Sequence, residues 1–558
     1  MELKPDYWNF DELTEILHRL ADEYPRVLKL TSLGQSRQGR ELWCLEVTGR
    51  ETGEADAKPA MYVDGNTHGS EVTGCAVAVY TAWLCGRGFG SDRYLTNLLS
   101  RRAFYIVPRI NPDGAEDYLK RPQRHFGGVL THNMRPYPVD KEGVALFPED
   151  VDGDGLVLQM RQEDPLGEWR ASEKDPRALI RRRPGDSGPF YRLYPEGRIR
   201  NYSGGLFDVK LGSYILNLNR NYPAHWVPEW QQAMSGPYPL SEPESRAVVE
   251  FVQDRPNISV AQSYHTHSGL ILRPLATGDD REMDAFDLRL YQDLGRIGEE
   301  ITGYPCVSTF SGFTPGLHDR TPRHGTFLDW AYQHQGILAF TTELWDPDGQ
   351  AGVRKSLFQE LTEEEELKAL EWNDRQLKGR GFETWRPFDH PQLGQVEIGG
   401  WKKEFTGRNP PQDYLEDECQ RNADHALRLL ESTPLTEIRG VETWDLGEGL
   451  YQVVVTVANV GYLPTYGCKV GLQSGLAGQI SVQLELEPGY EVVGAERGDA
   501  REAGHLEGYG SQQAGFFYSP PPKRMAEISF TVRAPGGWDP SGTAIAASPR
   551  GGKVRQAF

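Results

Sequence analysis

The sequence predicts an α/β fold, with a mixed twisted sheet flanked by helices, followed by a small C-terminal β-sandwich. Three observations support this prediction. Short apolar runs alternate with helical patterns over about residues 8–432, as expected when helices connect the strands of a sheet. Polar loops directly follow several of these runs, as they do at the carboxyl edge of such a sheet. From about residue 434, short alternating strands with Gly and Pro turns replace the helices.

The stretch 58–84 organises the N-terminal half of the chain. It is interpreted as a buried strand at 60–63, a polar loop at 64–71, and a helix at 72–84 whose apolar residues share one face. The loop contains His68 and Glu71. The neighbouring elements are predicted to be a helix at 9–24 and strands at 27–30, 42–47 and 103–107.

Residues 115–212 interrupt this alternation. They are rich in Gly, Pro, Arg and Asp and show little periodicity, so we predict a long insertion. Within it, Asp150, Asp152 and Asp154 occupy alternate positions before a glycine, as in the first half of a calcium-binding loop. The twelfth position of such a loop should be Glu and is Arg161 here. A looser calcium site and a plain Asp/Gly turn therefore both stay open.

The alternation resumes after the insertion. Strands are predicted at 258–264 and 337–342, followed directly by His265 and Glu343. Because His68, His265 and Glu343 each come just after a strand, one sheet edge would bring the three side chains together. Helices are predicted at 241–254, 284–302, 327–333, 362–378 and 412–431, the first with a capping box from Ser241 to Glu244.

A change in sequence pattern near residue 434 predicts a domain boundary. The α/β domain would occupy residues 1–433 and the small β-sandwich residues 434–558. In the second domain, apolar and polar residues alternate over strands predicted at 450–457, 480–486, 490–493 and 528–532.

Charge and composition exclude several classes of function. The formal net charge of −20 argues against nucleic acid or an anionic membrane as a partner. No apolar run reaches membrane-spanning length, and no signal peptide is visible after Met1. The six scattered cysteines fit unpaired thiols. We therefore expect a cytoplasmic enzyme, or a secreted one if a leader was removed. The sequence makes no prediction of the oligomeric state.

His68 and Glu71 form a His-x-x-Glu motif, which suggests a metal site. Zn²⁺ accepts imidazole nitrogen and carboxylate oxygen, and a catalytic zinc needs three protein ligands and one open position. On its own the motif is a weak signal, because it recurs by chance and also fits the polar start of a helix.

Together with four other motifs, His68-Gly-Ser-Glu71 resembles the zinc metallocarboxypeptidases of the carboxypeptidase A type. The resemblance covers about residues 8–432, and five motifs in the family's order are far more specific than any one of them. The other four motifs, in chain order, are Asn111-Pro-Asp-Gly114, Asn219-Arg220-Asn221, Ser263-Tyr-His265 and Thr342-Glu343-Leu344.

The resemblance implies a zinc-dependent enzyme that hydrolyses C-terminal peptide bonds of peptides or proteins. It implies a zinc ion held by His68, Glu71 and His265, with Glu343 as general base for the attacking water. Asn219 and Arg220 would bind the substrate's terminal carboxylate.

Two further roles follow from the resemblance. Arg135 would stabilise the oxyanion, with Arg121 and Arg124 as rivals. Leu328 and Thr341 would line the pocket for the terminal side chain and favour an apolar or aromatic residue. An offset of one residue near Gly325 would put Phe327, which is also apolar, in place of Leu328. Against that preference, nearby cationic side chains would favour an acidic terminal residue, namely those of Arg320, Arg323 and His324.

The chain departs from the family pattern at three positions. Ser70 stands where the family often has Arg, two residues after the first His. Asn217 stands where the family commonly has an Asp that contacts this His. It can accept a hydrogen bond but carries no charge, so His68 is expected to be a weaker zinc ligand. The region around residue 321, where the family places a substrate-capping Tyr, contains none. Two alternative functions remain: an amidase or peptidase of the same fold acting on bacterial cell-wall peptides, and a catalytically decayed peptide-binding module.

Overall fold

The strands and helices of the α/β domain follow the order predicted from the sequence. The computed structural model describes residues 2–120, 144–205, 207–209, 216–313, 321–353, 360–494, 500–512, 521–534 and 539–558. Its helices are α1 Phe10–Glu23, α2 Thr73–Gly88, α3 Arg93–Arg101, α4 Pro112–Lys120, α5 Pro243–Gln253, α6 Ala285–Thr302, α7 Thr309–Gly312, α8 Phe327–Asp329, α9 Pro347–Gln350, α10 Glu363–Gln376, α11 Gln412–Glu431 and α12 Lys469–Ser474.

The strands fall into three groups along the chain. Those before and within the insertion are β1 Leu28–Gln35, β2 Glu41–Val47, β3 Ala60–Gly65, β4 Ala103–Val107, β5 Ala145–Pro148, β6 Gln159–Glu163, β7 Trp169–Ala171, β8 Leu179–Arg181, β9 Phe190–Pro195, β10 Gly197–Arg200 and β11 Asp208–Val209. Those that follow in the α/β domain are β12 Ile258–Thr266, β13 Leu270–Arg273, β14 Cys306–Ser308, β15 Leu338–Leu344, β16 Phe382–His390 and β17 Gly394–Trp401. The C-terminal strands are β18 Thr436–Gly447, β19 Leu450–Asn459, β20 Ile480–Leu486, β21 Glu491–Val492, β22 Arg501–Gly504, β23 Met525–Arg533, β24 Gly542–Ser548 and β25 Gly552–Ala557.

An eight-stranded mixed sheet forms the centre of the α/β domain. Its order is β1-β2-β4-β3-β12-β15-β13-β14, with a parallel centre of β4, β3, β12 and β15. Strands β3, β12 and β15 are buried along their whole length, as expected when helices cover both faces of a parallel sheet. Helices α1, α2, α6 and α11 contribute to the core on one face, and α5 and α8 to the core on the other.

The insertion is more regular than the sequence indicated. Strands β6 to β9 join β16 and β17 in a six-stranded sheet, and β5, β10 and β11 form a three-stranded one. The sequence pattern predicted little regular structure at 115–212, and strands β16 and β17 were not predicted. These strands pair across long separations, as when Glu397 lies opposite Arg161. Several are only three or four residues long, which is too short to give a clear periodicity.

The predicted capping box at Ser241 is wrong. Helix α5 begins at Pro243, and its N-cap is Glu242, without a side-chain capping bond. The Ser241 hydroxyl instead donates to the Glu242 carboxylate, 2.9 Å away. Proline at the first helical position fixes the start of the helix one residue later than the capping-box pattern indicated.

The C-terminal strands form two four-stranded sheets that enclose their own core. The orders are β18-β19-β23-β21 and β22-β20-β24-β25. Val453 and Phe530 from the first sheet share a buried cluster with Val482 and Ala544 from the second, which is the packing of a β-sandwich. The sandwich contacts the α/β domain at Gly336, whose carbonyl accepts hydrogen bonds from the Arg550 guanidinium and the Cys468 thiol.

None of the helices in the described ranges is long and apolar enough to cross a bilayer.

Helix α11 buries a histidine that has no hydrogen-bond partner among the described residues. Both ring nitrogens of His425 are buried without a partner, and the ring packs against Gly298 of α6. Burial lowers the pKa of His425 to about 4. The folded protein therefore holds a neutral ring at pH values where the unfolded chain, with a pKa of about 6.5, takes up a proton.

We expect His425→Phe to stabilise the protein at pH 5 more than at pH 8. As the pH falls from about 6.5 towards 4, the unfolded chain binds the proton that the folded chain excludes. The wild type thereby loses up to about 3 kcal/mol of unfolding free energy, which the variant keeps. Thermal unfolding of both proteins at the two pH values measures the difference, and His18→Phe at an exposed site is the control. An equal shift at both pH values would contradict this linkage.

Candidate metal centre and substrate cleft

Three neighbouring strands end at the same point of the central sheet. In the parallel pairing of β12 with β15, His265 lies opposite Glu343. On the other side of β12, Tyr264 lies opposite Gly65, the last residue of β3. The loop after β3 carries His68 and Glu71. The sheet register therefore brings together the residues that the sequence predicted to meet at one edge.

His68, Glu71 and His265 converge on one buried point. The Nδ1 atoms of the two histidines are 3.1 Å apart, and the Glu71 Oε2 atom is 3.0 Å from His265 Nδ1. Glu71 Oε1 is 2.9 Å from His68 Nδ1, and all three side chains are more than nine-tenths buried. Ligand atoms of a tetrahedral zinc lie about 3.3 Å apart, so the spacing and the donor types both fit Zn²⁺.

The charge on Glu71 also suits a metal ligand. Its burial alone would raise the pKa, but the contacts with His68 and His265 outweigh burial and hold the pKa of Glu71 well below its ordinary value. The backbone N–H of Thr266 donates a further hydrogen bond to Oε2, at 3.2 Å. The carboxylate is thus kept ionised and in a fixed orientation.

Outer contacts orient both imidazole rings. The Nε2 atom of His68 is 3.1 Å from Asn217 Oδ1, so the predicted contact with this neutral residue is present. The Nε2 atom of His265 is 3.4 Å from the Ser263 hydroxyl, which donates to Asp64 Oδ1 at 2.6 Å. Burial raises the pKa of Asp64 to about 6. Donation from each Nε2 leaves each Nδ1 lone pair directed at the shared point.

The Asn-Pro-Asp-Gly motif buttresses the loop that carries His68. Asn111 Nδ2 donates to the Thr67 carbonyl at 3.3 Å, and the Gly114 amide donates to Asn111 Oδ1 at 2.9 Å. The backbones approach so closely that a Cβ atom on Gly69 would lie 2.6 Å from the carbonyl carbon of Gly114. Glycine is required at this crossing, which sets the position of the loop.

Glu343 faces the same cleft from the end of β15. Its side chain is 8% exposed. Burial, with the nearby charge of Glu71, raises the pKa of Glu343 to about 8 against the opposing effects of His265, Arg408 and Arg323. A carboxyl group in this environment can exchange a proton near neutral pH, which is what a general base requires.

Asn219 and Arg220 lie in a short turn that also lines the cleft. Asn219 Oδ1 accepts from the Phe327 amide at 2.9 Å, so its amide N–H₂ group is left to donate elsewhere. The Arg220 guanidinium donates to the Asn219 carbonyl at 2.7 Å. Its burial, with the charge of Arg323, lowers the pKa of Arg220 to about 10. Gly325 permits this arrangement, because a Cβ atom there would lie 2.3 Å from the Arg220 carbonyl oxygen.

These groups line one cleft of about 1100 Å³. Two cationic side chains complete it, of which Arg408 was not identified from the sequence. The cleft contains His68, Glu71, His265, Glu343, Asn219, Arg220, Leu328, Thr341, His267, Arg323 and Arg408. His324 is not among the lining residues. Arg121, Arg124, Arg135 and Arg320 lie outside the described residues.

The acidic residues of the insertion form a second cluster. Ligand atoms of Asp150, Asp152 and the buried Glu196 lie within 4.8 Å of one another. Asp154, the third residue of the predicted loop, is not part of this cluster, and its Oδ2 pairs with Arg386 at 2.5 Å. The oxygens of Asp150 already accept the amides of Gly153 and Gly155. These contacts also occur in a plain turn, so calcium binding here stays a prediction.

Comparison with known proteins shows which families the two parts of the chain match. The zinc carboxypeptidase family model matches residues 13–135 and 196–366, which together make up more than half of the chain. Residues 435–558 match a domain of unknown function, DUF8731.

Individual relatives match shorter stretches. Carboxypeptidase D of Homo sapiens is 34% identical over 109 residues, which is 19% of this chain and 8% of that protein. A zinc carboxypeptidase of Saccharothrix mutabilis subsp. capreolus is 28% identical over 110 residues, or 20% of this chain and 25% of its own length. The matches thus span only a minor part of these relatives.

Solved structures show a distant likeness. Bovine thrombin-activatable fibrinolysis inhibitor, in complex with tick carboxypeptidase inhibitor, is 17% identical with a TM-score of 0.43, covering 77% of this chain and 98% of that one. The murein-tripeptide amidase MpaA of Escherichia coli O157 is 16% identical with a TM-score of 0.25, covering 56% and 82%. On the strength of the family model, which spans His68, Glu71, His265 and Glu343, this chain belongs to the zinc carboxypeptidase family.

Proposed function

We propose that this protein is a zinc-dependent metallocarboxypeptidase that releases single residues from the C-termini of peptides or proteins. The observation that supports it most is the shared cleft. Three candidate metal donors, a buried carboxyl group and a partly buried guanidinium all line it. Each is a part that C-terminal hydrolysis requires.

The proposed roles follow from the chemistry of each group. Zinc held by His68, Glu71 and His265 would supply a water of lowered pKa and a Lewis acid for the carbonyl. The Glu343 carboxylate would accept the proton of the attacking water and return it to the departing amine. Arg220 would pair with the terminal carboxylate in a two-pronged contact, and the Asn219 amide would add a hydrogen bond. A cationic anchor of this kind confines cleavage to chain ends.

The cleft suggests which terminal residues are released. Leu328 and Thr341 are uncharged, and Phe313 and Val307 lie in the same lining, so an apolar or aromatic terminal side chain fits. Arg323 lines the cleft beside them, and its guanidinium donates to the Thr309 and Phe313 carbonyls. This positive charge disfavours terminal Lys and Arg.

A panel of peptides tests the activity and its alternatives. The peptides share one sequence, differ only in a terminal Phe, Leu, Glu or Lys, and are each made with a free and an amidated C-terminus. We expect release of Phe and Leu from the free series alone. Release of Glu in preference would assign the specificity to Arg323. Equal cleavage of amidated peptides would favour the cell-wall amidase alternative, and binding without cleavage the decayed peptide-binding module.

We expect one zinc ion per chain, and its loss in His265→Ala. Removal of one of three donors leaves too few ligands to hold the ion tightly, so zinc content should fall to a small fraction of the wild-type value. Elemental analysis after dialysis measures the content. His267→Ala is the matched control, because this histidine lines the cleft outside the donor set and should leave zinc in place. Full zinc content in His265→Ala would remove His265 from the site.

The calcium prediction is tested by stability. If an ion binds at Asp150 and Asp152, chelation of calcium should lower the melting temperature of the wild type. The ion would have to displace the Arg386 guanidinium, which contacts Asp152 at 3.2 Å. The double variant Asp152→Ala, Asp154→Ala should show no response to calcium. Identical responses in both proteins would identify the stretch as a turn.

A further inference from the structure

A tightly held turn brings an additional guanidinium to the cleft. The π-helical turn Lys403–Arg408 lies between β17 and α11. The Trp345 indole, two residues after Glu343, donates to the Thr406 carbonyl at 2.7 Å. Asn409 Nδ2 donates to the Ser70 carbonyl at 2.9 Å. The turn is thus fixed to both the strand that carries Glu343 and the loop that carries Glu71.

Asn409 ties this turn to helix α2 as well. Its Oδ1 atom accepts from the Thr73 hydroxyl at 2.9 Å, and its side chain is fully buried. Because the residue following Arg408 is held on several sides, the Arg408 backbone has a defined position relative to the candidate metal donors.

The Arg408 side chain is directed into the cleft rather than into solvent. It is 11% exposed, and its Nη1 atom is 3.7 Å from Glu71 Oε1, beyond hydrogen-bond distance. It lines the cleft together with Glu343. In the described ranges, no hydrogen-bond acceptor is found for its guanidinium. With respect to this part of the chain, the N–H donors can therefore bind a group that enters the cleft.

The position of Arg408 compensates for one difference between this chain and its family, the missing arginine at position 70. Ser70 stands where the family often has an arginine, and Ser70 is the residue whose carbonyl binds Asn409. Arg408 lies beyond the residues 196–366 that the family model matches. A guanidinium is thus present near the loop of Ser70 and Glu71, but it comes from a different part of the chain.

We propose that Arg408 is a further catalytic residue that contacts the substrate's scissile carbonyl oxygen. This proposal rests on the proposed function. When the water oxygen bonds to the carbonyl carbon and its proton passes to Glu343, the carbonyl electron pair moves to oxygen. Arg408 donates hydrogen bonds to that oxygen and gives up no proton. The C–N bond then breaks, and the proton on Glu343 passes to the amine. A donor placed where charge develops lowers the barrier to the first step.

Binding of methylphosphonate, a small tetrahedral oxyanion, tests the assignment without a peptide. Calorimetry of the zinc-loaded wild type is compared with Arg408→Met, which keeps the bulk of the side chain, and with Arg408→Lys, which keeps the charge. We expect Arg408→Met to weaken methylphosphonate binding at least roughly 30-fold, with Arg408→Lys intermediate and zinc content unchanged. In peptide hydrolysis, kcat should fall by about 10² or more with little change in KM.

Lys403→Met is the matched control, because it removes a cation from the same turn that does not line the cleft. It should leave methylphosphonate binding within about twofold of wild type. Unchanged methylphosphonate binding in Arg408→Met would overturn the proposal. The proposal would also be overturned if Arg408→Met lost zinc and the molecules that kept zinc bound methylphosphonate as tightly as the wild type. Arg408 would then be only a counter-ion for Glu71. Arg408-dependent binding in a wild type that releases no terminal residues would support Arg408 and reject the proposed carboxypeptidase activity.

Discussion

Glu343→Gln is expected to reduce peptide hydrolysis by about 10³-fold or more while leaving the zinc content unchanged. The side chain is nearly isosteric with the original, so the packing at the end of β15 should persist. An amide cannot accept the proton of the attacking water, and in the proposed site the Glu71 carboxylate is engaged as a metal donor. Glu343 is also outside the donor cluster of His68, Glu71 and His265.

Steady-state kinetics on a peptide with a free terminal Phe, together with elemental analysis, measure both expected effects. Asp348→Asn is the matched control, because Asp348 is another carboxylate of the cleft and has no proposed role in the reaction. Its turnover should change no more than a few fold. A Glu343→Gln variant that retains wild-type turnover would assign the general base to another group. A variant that loses zinc would instead place Glu343 among the ligands.

The order of strands and the location of the site could be predicted because the central strands are short, apolar and buried on both faces. Each such run stands out against its surroundings, and the polar residue after it marks the sheet edge. His68, His265 and Glu343 were predicted to meet for this reason alone. The resemblance to the family added only the chemical roles of these three residues.

The insertion could not be predicted in the same way. Strand β6 pairs with β17, and Arg161 there lies opposite Glu397, a partner more than 200 residues further along the chain. No local window contains both. The Arg161 side chain also lies over the rings of Tyr191 and Trp385. A charged residue therefore occupies a buried strand position, where sequence-based prediction expects an apolar residue.

Arg408 gave no local signal either. It ends a polar stretch that begins at Lys402, which in isolation resembles a solvated loop. Its place in the cleft results from contacts made by Trp345 and Asn409 to distant parts of the chain. The one indication in the sequence was the serine at position 70, which showed that an expected cation was missing but not where another would come from.

Arg220→Ala is expected to cost about 2–4 kcal/mol in kcat/KM on peptides with a free C-terminus, a loss of roughly 30- to 1000-fold. The guanidinium is partly buried, and desolvation with the neighbouring charge of Arg323 lowers its pKa. An incoming carboxylate would therefore gain a strong pairing that water does not offer. The loss should appear mainly in KM, because the terminal carboxylate is bound equally in the ground state and in the transition state.

Amidated peptides provide the internal control, since they have no terminal carboxylate to lose contact with. Their slow cleavage should be nearly the same in wild type and variant, so the preference for free over amidated ends should collapse. Arg323→Ala is the matched variant, because it removes the other cation on this side of the cleft. It should change which terminal residue is preferred but keep the preference for a free end. If Arg323→Ala abolishes the preference for free ends and Arg220→Ala keeps it, the carboxylate anchor is Arg323, and the terminal side chain must lie elsewhere in the cleft.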